Sequence, residues 1–260
     1  MHQIQYLSSL SSVTFFSRIH LVATDMDGTL TCRGKFTPAL LQAFEQLATA
    51  GIKVVIVTGR SAGWVSGIAS YLPVAGAIAE NGGLFYLAGN DNLFALTPIA
   101  NLSVHRQELA SVFAQLRAKF PQIQESNDNR FRITDWTFDV ANLNPDELNQ
   151  MDELCQTMGW GFTYSNVQCH IKPLEQDKAV GLLRVLQEYF PDVNQQQVVT
   201  VGDSPNDESL FNADYFPVSV GVANVLEYIE RLKYKPAYVT TAAEGQGFCE
   251  LVKKILNSQM

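Results

Sequence analysis

Three apolar runs in this chain each stop at a cluster of acids, hydroxyls and glycine. LVAT (21–24) leads into Asp25, Met26, Asp27, Gly28 and Thr29. KVVIV (53–57) leads into Thr58, Gly59 and Arg60, and QVVTV (197–201) into Gly202, Asp203, Ser204, Asn206 and Asp207. A strand without polar alternation must be covered on both faces, as in a parallel sheet between two helical layers. The intervening stretches read as helices. Thr37 and Pro38 form an N-cap and first-turn pair before a stripe at Leu40, Leu41, Phe44, Leu47 and Ala48, and Gly51 closes it. A second helix is read over 64–71 and a third strand in AGAIA (75–79). After residue 176 the alternation returns, with helices at 178–190, near Pro205, at 224–233 and at 247–257. The expected core is α/β, a doubly wound, Rossmann-like parallel sheet.

The middle of the chain has a different pattern. A hairpin is read in GLFYLAGNDNLFALT (83–97), then an amphipathic helix over 104–120 and strands at RFRIT and TFDVA. A helix from Pro145 to Met158 and a strand pair, GFTYS and QCHIK, complete the segment. This αββαββ order predicts an inserted α+β cap with an antiparallel sheet over 103–173. It divides the core into 18–102 and 174–260 and leaves 1–17 as an extension. Those first 17 residues lack a basic start and a sustained apolar core, so they read as a loosely packed extension rather than a leader.

Of 260 residues, Lys and Arg number 18 against 26 acids, a formal charge of −8, with no dense basic cluster. Nucleic acid and anionic membranes are thereby disfavoured as main partners. No apolar run approaches the ~20 residues that span a bilayer. Cys32, Cys155, Cys169 and Cys249 show no CxxC spacing, which fits reduced thiols in a cytoplasmic protein. The sequence sets no oligomeric state.

In a doubly wound sheet, ligands collect at the carboxyl ends of the strands, so the three polar clusters converge there. Each also has a plainer reading. Asp27-Gly28 is a common turn pair, Thr58-Gly59 a strand exit, and Ser204 with Asp207 a capping box around Pro205. Asp25, Asp203 and Asp207 close together would repel one another, and such oxygen sets hold hard divalent ions such as Mg²⁺. Lys178 follows Asp177 at a helix start, where the dipole disfavours a cation. Either it is solvated, or it reaches an anion at the same edge. In the cap, Arg130 with Arg132, and His170 with Lys172, are expected to share strand faces. These pairs form either a cationic roof over the site or a solvated outer face. Asp135, Trp136 and Asp139 are weaker candidates for sugar contacts.

DMDGT (25–29), VTGR (57–60), the lysine of DKAVGLL (177–183) and GDSPND (202–207) together resemble the four motifs of the haloacid dehalogenase-like hydrolases. AENGG (79–83) and the C-terminal tail resemble the type-two-cap, Cof-like (IIB) branch. The cap layout is similar to the sucrose-phosphate and mannosyl-3-phosphoglycerate phosphatases. The resemblance implies Asp25 as nucleophile forming an aspartyl-phosphate, and Asp27 as acid and then base. It implies Thr58, Gly59 and Asn206 on the phosphoryl oxygens, with Arg60 beside them and Lys178 neutralising charge. Mg²⁺ is implied on Asp25, the Asp27 carbonyl and Asp203, with Asp207 in support. The expected activity is Mg²⁺-dependent hydrolysis of a small phosphate ester, foremost a sugar phosphate. A phosphomutase of the phosphomannomutase type and a non-catalytic phosphate-binding module are the alternatives. The short Gly-Asp to Asn-Asp spacing in GDSPND favours hydrolysis.

Overall fold

The computed structural model describes residues 4–10, 16–90 and 92–259. Eight strands form the large sheet. In chain order they are β1 (Leu21–Thr24), β2 (Lys53–Val57), β3 (Gly76–Ala79), β4 (Leu84–Leu87), β5 (Leu93–Ala95), β9 (Val198–Gly202), β10 (Val218–Gly221) and β11 (Tyr238–Val239). Their spatial order is β11-β10-β9-β1-β2-β3-β4-β5; the first six run parallel, β4 is antiparallel to β3, and β5 completes the expected hairpin antiparallel to β4.

Helices cover both faces, which is why the strands are apolar throughout. Val22, Val54, Ile56 and Val199 face α1 (Pro38–Thr49), α2 (Ala62–Tyr71) and α6 (Glu244–Asn257). Leu21, Ala23, Val55 and Val57 face α5 (Lys178–Tyr189). Thr37 caps α1 through a bond from Leu40 N with Pro38 in the first turn, as read. Register then fixes the site: Thr24 lies opposite both Ile56 and Val201, so the chain leaves β1, β2 and β9 at one level. Near Pro205 and after residue 223, where the sequence suggests α-helices, there are only short 3-10 turns, Pro205–Phe211 and Ala223–Glu227.

The second sheet is antiparallel and three-stranded. Its order is β6-β8-β7, from β6 (Trp136–Asp139), β7 (Trp160–Tyr164) and β8 (Gln168–Pro173). It packs on α3 (Leu102–Lys119) and α4 (Pro145–Thr157) through a cluster that includes Leu109, Leu116, Phe138, Met151 and Ile171. RFRIT, read as a fourth strand, is instead a 3-10 turn ending at Phe131 followed by bends. Asn129 supplies the reason: its side chain accepts from Thr137 N (2.8 Å) and donates to Thr137 O (2.8 Å). A short bridge at Glu125 pairs with β6 by backbone, and the Asn129 side chain takes the next pairing in place of RFRIT.

Of the expected extension, residues 1–3 and 11–15 lie outside the described residues. What is described is not loose. Leu7 and Phe16 are buried in the core, and Val239 N donates to Gln5 O (3.0 Å). Sheet edges with free N–H and C=O groups attract such cover, and Tyr6 forms a parallel bridge with Val239 on β11. All four cysteines are free thiols. No helix among the described residues is long and apolar enough to cross a membrane.

Candidate active site

Lys178 is the first residue of α5, with Asp177 as N-cap accepting from Val180 N (2.8 Å). Far from being solvated, its ammonium is wholly buried and donates to Asp25 Oδ1 (2.5 Å) and Asp207 Oδ1 (2.6 Å). Asp207 uses its other oxygen to accept from Asp203 N (2.9 Å) and Ser204 N (3.1 Å). The capping-box reading therefore holds, and the same carboxylate also grips the lysine. Asp203 is buried and aimed by two donors, Thr29 Oγ1 (3.1 Å) and Asn224 Nδ2 (2.8 Å). Gly28, with φ +84°, passes so near that a Cβ there would lie 2.5 Å from Asp203 Oδ2. Only glycine allows both the left-handed turn and that approach.

Burial pushes the Asp25 carboxyl up from its ordinary value to about 7, with Asp207 and Asp27 adding repulsion and Lys178 pulling back. Asp203 is raised well above the usual carboxylate range by burial and then by Asp25 and Asp207. Lys178 is raised, because its two carboxylate partners outweigh its burial. Ligand atoms of Asp25, Asp203 and Asp207 lie within 4.8 Å of one another. With all three carboxylates ionised, they exceed the one ammonium by two negative charges in a buried space, which one divalent cation would balance. An all-oxygen donor set suits a hard cation such as Mg²⁺.

Above this cluster is a cleft lined by Asp25, Asp27, Thr58, Gly59, Arg60 and Asn206 from the large-sheet side. The β7–β8 turn and the start of β8 close it with Ser165, Val167, Gln168 and His170. Arg60 grips Asp27 at both oxygens, Nε to Oδ2 (2.8 Å) and Nη2 to Oδ1 (2.7 Å), and lies over the Trp64 ring. The other cap candidates fare differently from the expected cationic roof. Arg130 is exposed and stacks on Phe131. Arg132 shares no strand face with it. Its guanidinium turns inward to Asp135 (2.9 Å), Asp128 (2.9 Å) and Gly59 O (2.9 Å). Lys172, on the His170 side of β8, is buried and donates to Gln176 O (2.5 Å), away from the cavity. Burial lowers its pKa.

Sequence reasoning passed over the turn residues Ser165, Val167 and Gln168, and also Glu80. Glu80 was legible only as part of AENGG. It is fully buried at φ +53° and accepts from Ala62 N (2.9 Å), Ile133 N (3.0 Å), Thr134 N (2.6 Å) and Thr134 Oγ1 (2.9 Å). Burial and the nearby Asp135 raise its pKa. One carboxylate thus ties the end of β3 to the segment leading into β6. Glu80→Ala strands the buried N–H groups of Ala62 and Thr134 and the half-buried one of Ile133, each buried one costing about 1–3 kcal/mol when unpaired. A stability loss of about 3 kcal/mol or more is expected in urea denaturation, and a loss below 1 kcal/mol would remove Glu80 from this role.

A family model of haloacid dehalogenase-like hydrolases matches residues 22–106 and 84–250. Phosphoglycolate phosphatase 1 of Saccharolobus solfataricus is 28% identical over 245 residues, covering 93% of this chain and 97% of that one. Phosphoglycolate phosphatase of Staphylothermus marinus is 26% identical over 250 residues, 92% and 98% of the two chains. Among solved structures, Thermoplasma acidophilum protein 0175 superposes with a TM-score of 0.74 at 19% identity, covering 92% of this chain and 98% of its own. The four short motifs that meet at one sheet edge thus lie within a family match spanning most of the chain, and the protein belongs to the haloacid dehalogenase-like hydrolases.

Proposed function

We propose that the protein is a Mg²⁺-dependent phosphatase acting on a small phosphate monoester through an aspartyl-phosphate. The observation that carries this is the buried Asp25–Lys178–Asp207 cluster, with Asp203 beside it, directly beneath a cleft lined by Thr58, Arg60, Asn206 and Asp27. Lys178 holds the Asp25 carboxylate in place, so its free oxygen is positioned for in-line attack on phosphorus. Thr58, Gly59 and Asn206 line the same space and supply donors for the phosphoryl oxygens. Asn81 Nδ2, buried with no partner among the described residues, adds a further donor near the Gly59 turn. Asp27, two residues from Asp25 on the cavity wall, protonates the leaving oxygen and then takes a proton from water. Arg60 holds both oxygens of Asp27, so Asp27 must swing off Arg60 to reach the leaving oxygen. When bound by Asp25, Asp203 and the Asp27 carbonyl, with Asp207 behind, Mg²⁺ would neutralise charge on the transferring phosphoryl group. Cytoplasmic location and the division at 103–173 belong to the same reading.

Phosphoglycolate appears in the names of the relatives, which favours a short ester over the sugar phosphates suggested by the cap layout. Phosphate release from phosphoglycolate, hexose phosphates and an aryl phosphate, with and without Mg²⁺, tests the reading. Turnover of none of them, or turnover indifferent to Mg²⁺, would overturn it. Interconversion of hexose phosphates without phosphate release would indicate the mutase instead.

Cation binding should also appear in stability. Metal ions need deprotonated ligands, and Asp25 is pushed up to about 7 with Asp203 raised alongside. At pH 5 the cation must displace protons from these carboxyls; at pH 8 it meets charged ones. The Mg²⁺-induced rise in Tm of chelator-stripped protein is therefore expected to be several degrees larger at pH 8 than at pH 5. An equal rise at both would contradict it.

A further inference from the structure

His170 is the only ionisable side chain that the small-sheet segment contributes to the cavity wall. It is 2% exposed, and its Nδ1 lies 2.8 Å from Asp135 Oδ2. Asp135, itself fully buried, takes Arg132 Nη1 at 2.9 and 3.0 Å on its two oxygens. Arg132 is anchored in turn on Asp128, Gln168 and Gly59 O. An arginine-paired carboxylate has no proton to give, so the proton in the His170–Asp135 bond is on Nδ1. Nε2 has no hydrogen-bond partner among the described residues. The ring lies against the Thr58–Gly59 turn, and a Cβ at Gly59 would be 3.0 Å from Cε1 and 3.1 Å from Nε2. The imidazole is thus aimed by a buried chain of charges at the space beyond the phosphoryl position.

We propose that His170 determines specificity by presenting Nε2 to a carboxylate on the leaving group, so that the preferred substrates are phosphorylated short-chain carboxylic acids. This rests on the phosphatase reading and names the substrate class of that site. The neighbouring charges support it. Lys178 is committed to Asp25 and Asp207, and Arg60 is paired with Asp27 until that acid turns to the leaving oxygen, so neither meets the leaving group's anion as it first enters. On the His170 side, Asp135, Asp128 and Glu80 outweigh Arg132 and Arg106 by one negative charge. The strands on either side place uncharged Thr137 and Thr163 opposite His170. Burial lowers the His170 pKa against the pull of Asp135, so the ring is neutral in the empty site and takes its second proton from bulk solvent together with the entering anion, the imidazolium then balancing that excess. Its Nε2–H then donates to the carboxylate, and Gln168 and Ser165 are the neutral polar groups beside it. Asp135 acts as a positioning residue through His170, while Arg132 holds Asp135 and also Gln168 and Gly59 O on the cavity wall.

The test compares phosphoglycolate with ethyl phosphate, an ester of the same carbon number without the carboxylate. His170→Asn can keep an amide donor toward Asp135 but withdraws from the cavity. It is expected to lower the ratio of kcat/KM for the two esters about 10- to 100-fold, the worth of one hydrogen bond to a charged group, mainly through KM for phosphoglycolate. His170→Gln, whose amide can reach the Nε2 position, should restore part of the ratio, and Asp135→Asn should lower it without any change at the cavity wall. Far-ultraviolet circular dichroism and Tm establish that each variant is folded. Equal losses on both esters would overturn the proposal, as would a wild-type enzyme indifferent to the carboxylate. A wild type that hydrolyses neither these esters nor an aryl phosphate defeats the phosphatase reading itself, and the proposal with it.

Discussion

Asp25→Asn is expected to reduce phosphate release by about 10⁴-fold or more, because no second carboxylate is free to attack in its place. Asp207 has both oxygens engaged, and Asp203 is aimed by Thr29 and Asn224. The same substitution should not lower the Tm of the metal-free protein at pH 8. Burial and repulsion raise the Asp25 carboxyl from 3.8 to about 7. A carboxyl raised in the folded state binds its proton more tightly there than in the unfolded chain. Its ionisation therefore removes stability as pH climbs from about 4 to 7. Asparagine has no such charge to carry, and Lys178 keeps Asp207 as a partner. The Mg²⁺-induced Tm shift should shrink in the variant. Residual turnover above about 1% of wild type would remove Asp25 as nucleophile.

Lys178→Met should have the largest effect on stability. Removing one partner from a buried ionic cluster leaves uncompensated charge, at a cost of about 3–5 kcal/mol. Here Asp25 and Asp207 would both lose the ammonium. For a chain of this size that corresponds to a fall in Tm of roughly 10 °C or more in the metal-free protein at pH 8. The loss should be smaller at pH 5, where the Asp25 carboxyl is protonated. Lys178 itself is raised from 10.5, so its contribution is fully present below that value and is lost only at higher pH. Activity should fall by about 10³-fold or more, since the attacking carboxylate loses its anchor and the phosphoryl group a countercharge. A variant as stable as wild type at pH 8 without metal would show that the cluster is not held by this lysine.

Much of the core was legible because its signals are local. An all-apolar run demands cover on both faces wherever it lies in a chain, and Leu21–Thr24, Lys53–Val57 and Val198–Gly202 obey that in parallel register. Motif spacing brought Asp25, Thr58, Lys178 and Asp203 to one edge because topology carries every parallel strand end to the same side. The cap was legible in its helices and in three strands. It was not legible at RFRIT, where Asn129 satisfies backbone that a fourth strand was expected to pair.

By itself, then, the sequence determined the doubly wound sheet, the small antiparallel layer and the residues at the carboxyl edge, since these follow from periodicity and short spacings. Tertiary structure decided which charges meet. Lys178 finds Asp25 across 153 positions, Glu80 reaches Thr134 across 54, and His170 finds Asp135 across 35. It also turned Arg132 inward and left Arg130 in solvent, although both were read as one strand face. Such pairings are set by burial, where an unpaired charge is costly and any partner within reach is taken. No spacing along the chain encodes that reach.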